Sequence, residues 1–184
     1  MNEKDLRVIK TKRALSTSLY VLLEKHAFSN ITVNQICNEA LTHRTTFYKH
    51  FYDKYELLIY LITEITKDYF SMDIKDRINN PFSVMERTLN DINELKRVGD
   101  KQCDDKEFER TISNYFIKIL QNDIKENEHR ISVDASVPTE LIFYIYGTSL
   151  YGFMKWIRDN DIQLSAHEID VLFQKLINIK VEDV

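Results

Sequence analysis

Apolar residues recur every three or four positions through most of this chain, the spacing of amphipathic helices. A first helix over residues 4–26 carries Leu15, Leu19 and Leu22 on one stripe. Val33, Ile36, Cys37 and Ala40 give a second, short stripe, and Phe47 and Phe51 share a face of a third segment, residues 43–51. Leu57, Leu58, Leu61, Ile62 and Ile65 mark the buried side of a long helix over residues 53–70. Pro81 suits the first position of a helix running to about residue 98 and stopped by Gly99, after which GDKQCDD, residues 99–105, reads as a mobile loop. The next helix, residues 105–126, carries Phe108, Ile112, Tyr115, Phe116 and Ile119. A polar stretch over residues 125–136 then leads to Pro138.

Residues 139–157 are apolar nearly all round, which predicts a helix buried on several sides. Gly147 and Gly152 within it each cost about 1 kcal/mol of helix propensity relative to alanine, so they imply close approach of another helix or a ligand. Ser165 and Glu168 form a capping box that starts a last helix, with Ile169, Leu172, Phe173, Leu176 and Ile177 on one stripe. Two such helices at the end suit a four-helix interface built with the same pair from a second copy.

The densest information lies between residues 32 and 58. Thr32 and Gln35 form a capping box, and Ile31 with Ile36 forms a hydrophobic staple, so the start of the short second helix is well specified. A helix of about two turns is marginal alone in water and must pack on neighbours. After a turn at Leu41 and Thr42, Phe47 and Phe51 supply an inward face. His43, Arg44, Thr45, Thr46, Tyr48, Lys49 and His50 crowd the others. Cations neutralise phosphates, hydroxyls hydrogen-bond phosphate oxygens, and Arg or His at the start of a helix reaches base edges in a major groove. Asp53 and Glu56 read as the cap and third position of the long helix. Lys54 then sits in its first turn, unfavourable against the helix dipole unless an anion such as a DNA phosphate compensates. Together these segments read as a DNA-binding helix-turn-helix.

Composition fits this reading. The 184 residues include only three glycines and two prolines, little turn-forming material for a sheet-rich fold, and 43% are hydrophobic, enough for one large core or two small ones. The expected fold is all-α, about nine helices. The net charge of −4 is unevenly spread: residues 1–50 hold eight Lys/Arg against four Asp/Glu, net +4, which leaves −8 for the remaining 134. The basic end carries the motif, and an acidic body behind it limits nonspecific sticking to nucleic acid. Lys4, Arg7, Lys10, Lys12 and Arg13 cluster at the start of the first helix, where they either solvate its end or meet phosphates.

The segment TFYKHFYDKYELL resembles the signature with which members of the tetracycline-repressor-like (TetR) family leave their recognition helix and enter the next. ITVNQICNEA is similar to their second helix and KTKRALSTSLYVLLEKHAFSN to their first, so the resemblance covers roughly residues 8–60. It implies an N-terminal helix-turn-helix domain over residues 1–52 and a helical regulatory and dimerisation domain over 53–184. It further implies phosphate contacts from Thr32, Thr46, Tyr48, Lys49 and Lys54, with Arg44 and Thr45 facing bases. The family often has glycine in the turn where this chain has Leu41 and after the first helix where it has Ala27. Leucine does not readily take positive φ, so the turn must adopt another conformation or carry strain. GTSLYGFMKWIRDNDIQLSAHEIDVLFQKLI resembles the C-terminal part of some members, a less specific likeness.

The expected function is therefore that of a transcriptional regulator, a repressor binding double-stranded DNA at an inverted repeat as a homodimer held by the last two helices. No Pro/Gly-rich linker interrupts the chain near residue 53, so the long helix is expected to run on and transmit a tilt between the halves. Tyr69, Phe70, Tyr115, Phe116, Phe143, Tyr144 and Trp156 are candidates to line a pocket for a small hydrophobic effector, although the same spacing suits plain core packing, and some family members answer to a protein partner instead. An alternative is a helical protein-interaction adaptor whose DNA module has decayed.

Other chemistry has little support. Histidines 26, 43, 50, 129 and 167 share no metal-ligand spacing, and neither a GxSxG elbow nor a phosphate-binding glycine loop occurs, so no enzyme, metal or cofactor is expected. Cys37 and Cys103 make no CxxC. The first suits a core, and the second lies in a polar stretch, as an inert or a reactive thiol. No apolar run reaches the ~20 residues of a membrane span and no signal-peptide core precedes the first helix, so the expected location is cytoplasmic.

Overall fold

A computed structural model describes residues 6–89, 92–132, 136–177 and 179–181. Lys4, part of the predicted first helix, lies outside them. Ten α-helices occur among the described residues: α1 (Leu6–Leu23), α2 (Val33–Glu39), α3 (Arg44–Phe47), α4 (Lys54–Ser71), α5 (Ile74–Asn79), α6 (Pro81–Thr88), α7 (Ile92–Lys101), α8 (Lys106–Glu126), α9 (Thr139–Asp159) and α10 (Ala166–Leu176). Two residue pairs, Ile131 with Val181 and Ser132 with Lys180, add a short antiparallel bridge. The fold is all-α, and among the described residues no helix is long and apolar enough to cross a membrane.

The chain divides into two compact units, residues 1–65 with 91–112 and residues 66–90 with 113–184. The first has a core of Leu15, Leu19 and Leu23 from α1, Phe28 and Ile31 from the following turn, Ile36 and Cys37 from α2, Phe47 and Phe51, and Leu57, Leu58 and Leu61 from α4. Val98 of α7 joins it, with Phe108 and Ile112 of α8 against its edge. This compact unit takes in residues from α4 and a segment some forty positions further on.

That segment corrects the sequence reading of residues 99–105. They are no mobile loop: α7 continues through Gly99 to Lys101, and Gln102 is 1% exposed. Its Nε2 donates to the carbonyls of Leu23 (2.7 Å) and His26 (2.8 Å), while its Oε1 accepts the backbone N–H of Phe28 at 2.8 Å. The end of α1 leaves carbonyls without helical partners, and this amide satisfies that of Leu23 together with that of His26 in the turn beyond. Asp105, also buried, accepts the N–H groups of Ser29 (2.6 Å), Glu107 and Phe108 (both 3.0 Å), capping α8 and pinning the Phe28 turn with one carboxylate. The helix predicted over residues 81–98 is described as α6 and α7, on either side of residues 90 and 91.

The second unit packs Ile74, Ile78 and Phe82 against Leu120, Ile124, Tyr146, Leu150, Ile169 and Phe173. Asp170 of α10 is buried and accepts the N–H groups of Phe82 (2.8 Å) and Ser83 (3.0 Å), serving as a distant cap for α6. Arg77 is buried on a bidentate pairing with Asp123 and donates to the carbonyl of Met72 at 2.8 Å. Gly147 lets α9 approach α8 closely, because a Cβ there would stand 3.1 Å from the Ile117 carbonyl oxygen.

Within the single chain α9 is covered on only part of its surface. Leu141, Tyr144, Ile145, Thr148, Gly152 and Trp156 recur at helical spacing along an exposed stripe, Tyr144 at 65% exposure, and a Cβ on Gly152 would meet nothing within 4 Å. A near-continuous apolar run does not say which of its faces the same chain covers.

Candidate nucleic-acid interface

α2 begins as its sequence dictates. The Thr32 hydroxyl accepts from the Gln35 N–H, and the Gln35 side-chain oxygen accepts the Thr32 N–H at 2.8 Å, closing the capping box. It ends in a Schellman motif: Thr42 N–H donates to the Cys37 carbonyl at 2.9 Å and Leu41 N–H to the Asn38 carbonyl at 3.2 Å. That motif needs a left-handed residue at Leu41, whose φ is +50°. A leucine in this region costs roughly 1–2 kcal/mol, so of the two possibilities for the turn, strain is the one realised. The Leu41 side chain is 95% exposed.

α3 is a single regular turn followed by tighter bonding, Lys49 N–H to Thr46 and His50 N–H to Phe47, rather than a helix through residue 51. Phe47 and Phe51 are both buried with ring centroids 5.9 Å apart. Burying them turns His43, Arg44, Thr45, Tyr48 and Lys49 to the exposed side, with Thr46 half-buried. Arg44 Nη2 donates to the Tyr48 hydroxyl at 3.1 Å, and the guanidinium lies 5.6 Å from that ring. The Tyr48 contact raises the already high pKa of Arg44, so the group is a permanent cation. Tyr52, which the pattern reading passed over, is 84% exposed directly after buried Phe51.

Two candidate residues have other commitments. Burial, then the nearby Lys12 and Lys49 charges, lower the pKa of His50, and its Nδ1 is buried without a hydrogen-bond partner. It is therefore a neutral imidazole at neutral pH. Lys54 points into the unit: its Nζ donates to the carbonyls of Phe28 (2.8 Å) and Ser29 (3.1 Å), stands 3.6 Å from Glu107, and is 4.5 Å from the Phe28 ring centroid. With the side chain only 14% exposed, the anion that compensates this lysine at the start of α4 is Glu107, helped by two carbonyls. Asp53 caps the same helix, accepting from Tyr55 (2.9 Å) and Glu56 (2.8 Å).

The basic residues of α1 divide as well. Lys12 lies over the rings of Phe51 (5.9 Å) and Tyr60 (5.5 Å), whereas Arg7, Lys10 and Arg13 are exposed. Cys37 is buried and burial pushes its thiol up, the state of an inert core cysteine, while Cys103 is exposed.

The seven aromatic candidates for an effector site do not share one environment. Tyr69 is buried with Phe70 edge-on at 5.1 Å, Tyr115 and Phe116 are half-buried in mutual contact, and Phe143 is half-buried against the second core. Tyr144 and Trp156 stand on the exposed stripe of α9. The Tyr69 hydroxyl is buried with no hydrogen-bond partner, and burial raises its pKa strongly.

No protein-family model matches this chain, and no curated protein does. Solved structures do. NalD, the secondary repressor of the MexAB-OprM multidrug efflux pump in Pseudomonas aeruginosa, matches with a TM-score of 0.58 at 15% identity, covering 96% of this chain and 99% of its own. The dihydroxyacetone kinase operon activator DhaS matches at 0.56 and 15%, covering 92% and 93%. A putative TetR-family transcriptional regulator from Mesorhizobium loti matches at 0.52 and 14%, covering 96% and 100%. The chain has the fold of TetR-type transcriptional regulators over nearly its whole length.

Proposed function

We propose that this protein is a sequence-specific DNA-binding transcriptional regulator that engages an inverted-repeat operator as a homodimer. The observation that carries the reading is the outward set Arg44, Thr45, Tyr48 and Lys49 on α3 and the turn that continues it, anchored from behind by Phe47 and Phe51. In this reading Arg44 and Thr45 face bases, with His43 at the helix start beside them, while Thr32, Thr46, Tyr48 and Lys49 hold phosphates. Lys54 and His50 support the module from within, since the Lys54 ammonium and the His50 Nδ1 face the protein. The dimer is formed through the exposed stripe of α9 and through α10, where Val171 and Leu176 are exposed. Exposed apolar faces of this kind mark interaction sites, and two recognition helices reach successive major grooves only in a dimer.

The regulator acts in this reading as a repressor, like NalD, the secondary repressor of an efflux pump, and a hydrophobic effector releases it. Tyr69, Phe70, Tyr115, Phe116 and Phe143 are the effector candidates of the second unit, and the unpartnered Tyr69 hydroxyl is a group that a ligand acceptor would satisfy. Tyr144 and Trp156 go to the dimer face instead.

Selection of duplexes from a randomised pool by the purified full chain tests the reading. Enrichment of an inverted repeat, with affinity falling steeply as salt rises, is expected. Absence of any enriched sequence from a chain that remains dimeric would favour the interaction adaptor and overturn the regulator.

A further inference from the structure

We propose that Leu41 is a specificity-determining residue, its side chain reading the C5-methyl group of a thymine beside the bases faced by Arg44. The inference rests on the DNA-binding reading and adds to it a residue that no helix-turn-helix pattern marks.

Two helices of this chain end in the same Schellman geometry, and they fill its left-handed position differently. At the end of α9 the position is Asp161, φ +46°, with Ile162 N–H bonded to the Ile157 carbonyl at 3.0 Å and Asp161 N–H to the Arg158 carbonyl at 3.2 Å. Aspartate, with its short polar side chain, tolerates that region. At the end of α2 the position is Leu41, φ +50°, whose hydrocarbon side chain has no polar atom with which to offset the strain. Nor does burial offset it, because 95% of the side chain is in solvent. Glycine would remove both the strain and the exposed hydrocarbon.

The strained, solvent-facing leucine sits three residues before Arg44, with exposed His43 between them. Strained backbone concentrates where a site over-determines it. On a surface otherwise made of Arg, His, Thr, Tyr and Lys, an isobutyl group has one complementary partner in a major groove: the thymine methyl, the only apolar group that base pairs present there. The first residues of a recognition helix are those that meet base edges, so a side chain leading into that helix is within the same groove.

The test uses the full chain and the duplex selected by it. Each thymine of the half-site is replaced in turn by deoxyuridine, which deletes only the methyl, and wild type is compared with Leu41→Gly and Leu41→Ala. At one thymine the wild type should lose about fourfold in affinity, the effect of one methyl-sized apolar contact. Leu41→Gly should bind thymine and uracil duplexes equally there, while melting at the same or a higher temperature than wild type. If no thymine-to-uracil change affects the wild type, or if Leu41→Gly keeps the discrimination, the proposal is overturned while DNA binding stands. If the wild type selects no sequence at all, the DNA-binding reading falls and takes this one with it.

Discussion

The side-chain oxygen of Gln102 accepts the backbone N–H of Phe28 at 2.8 Å across 74 positions of sequence. The same amide group donates to the carbonyls of Leu23 and His26, so a single residue closes the end of α1 and fixes the turn leading to α2. Removing it strands three backbone groups at a buried point. Gln102→Ala is expected to destabilise the protein by about 3 kcal/mol, given about 1–3 kcal/mol for each buried group left unsatisfied and partial rescue by water. Urea denaturation measures this, and a loss under about 0.5 kcal/mol, within the range of ordinary surface changes, would show the contact to be incidental. Amide hydrogen exchange at Phe28 should accelerate in the same variant.

Asp105 makes the anchor sensitive to acid. Burial pushes its carboxyl up, but hydrogen bonds from Ser29, Phe108 and Glu107 more than offset this, and its pKa lies below the ordinary 3.8. A carboxyl with a depressed native pKa stabilises fully above its unfolded value, and the contribution is lost as pH falls through the native value. The wild type should therefore lose stability below about pH 4 more steeply than Asp105→Asn, which has no charge to lose. Urea midpoints for both proteins between pH 3 and 5 check this, and parallel profiles would contradict it.

Lys49 and Lys54 are five residues apart and should behave oppositely. Lys49 is exposed beside Tyr48, and Lys49→Ala is expected to weaken binding to all DNA sequences about equally and to reduce the salt slope by about 1. Lys54→Met should leave that slope unchanged but lower the melting temperature, since it vacates the Phe28 and Ser29 carbonyls and leaves Glu107 without its cation. Filter binding across a salt series separates the two. A reduced slope for Lys54→Met would return that lysine to the phosphate contacts.

The two glycines of α9 give a third contrast. A Cβ at Gly147 would stand 3.1 Å from the Ile117 carbonyl oxygen and 3.3 Å from the Leu120 Cβ, so Gly147→Ala should destabilise the fold by about 1–3 kcal/mol despite its better helix propensity. Gly152 has open space around it, and Gly152→Glu should leave the monomer fold intact while weakening the dimer. Circular dichroism melts and sedimentation at several concentrations read both effects. A fully dimeric Gly152→Glu variant would remove this stripe from the interface.

Local signals in the sequence were sufficient for the helices with clear caps. Thr32 with Gln35 and Ser165 with Glu168 form capping boxes in the structure as their spacing predicts. The module from α2 to α4 was legible because its caps, turn and aromatic spacing all act within a few residues. The roles of Gln102 and of Asp105 at the Phe28 turn were not, because the partners there lie more than seventy positions away and nothing local distinguishes a buried glutamine from a solvated one. Two polar side chains of GDKQCDD, Gln102 and Asp105, serve a distant stretch of backbone, and polarity alone reads as a loop. Lys54 has a related ambiguity: its unfavourable place in a first turn demands an anion, and within the chain Glu107 supplies one. On α9, uniform apolarity concealed the difference between a face covered by the same chain and a face left open.

Because the first compact unit is assembled from residues 1–65 and 91–112, it has no counterpart as a portable cassette. A fragment cut after residue 65 would carry the whole helix-turn-helix but neither Gln102 nor Asp105, and during synthesis the amino-terminal helices must wait for residue 112 before their structure is complete. Chimaeras that graft this reader onto another body should retain the second segment as part of the graft.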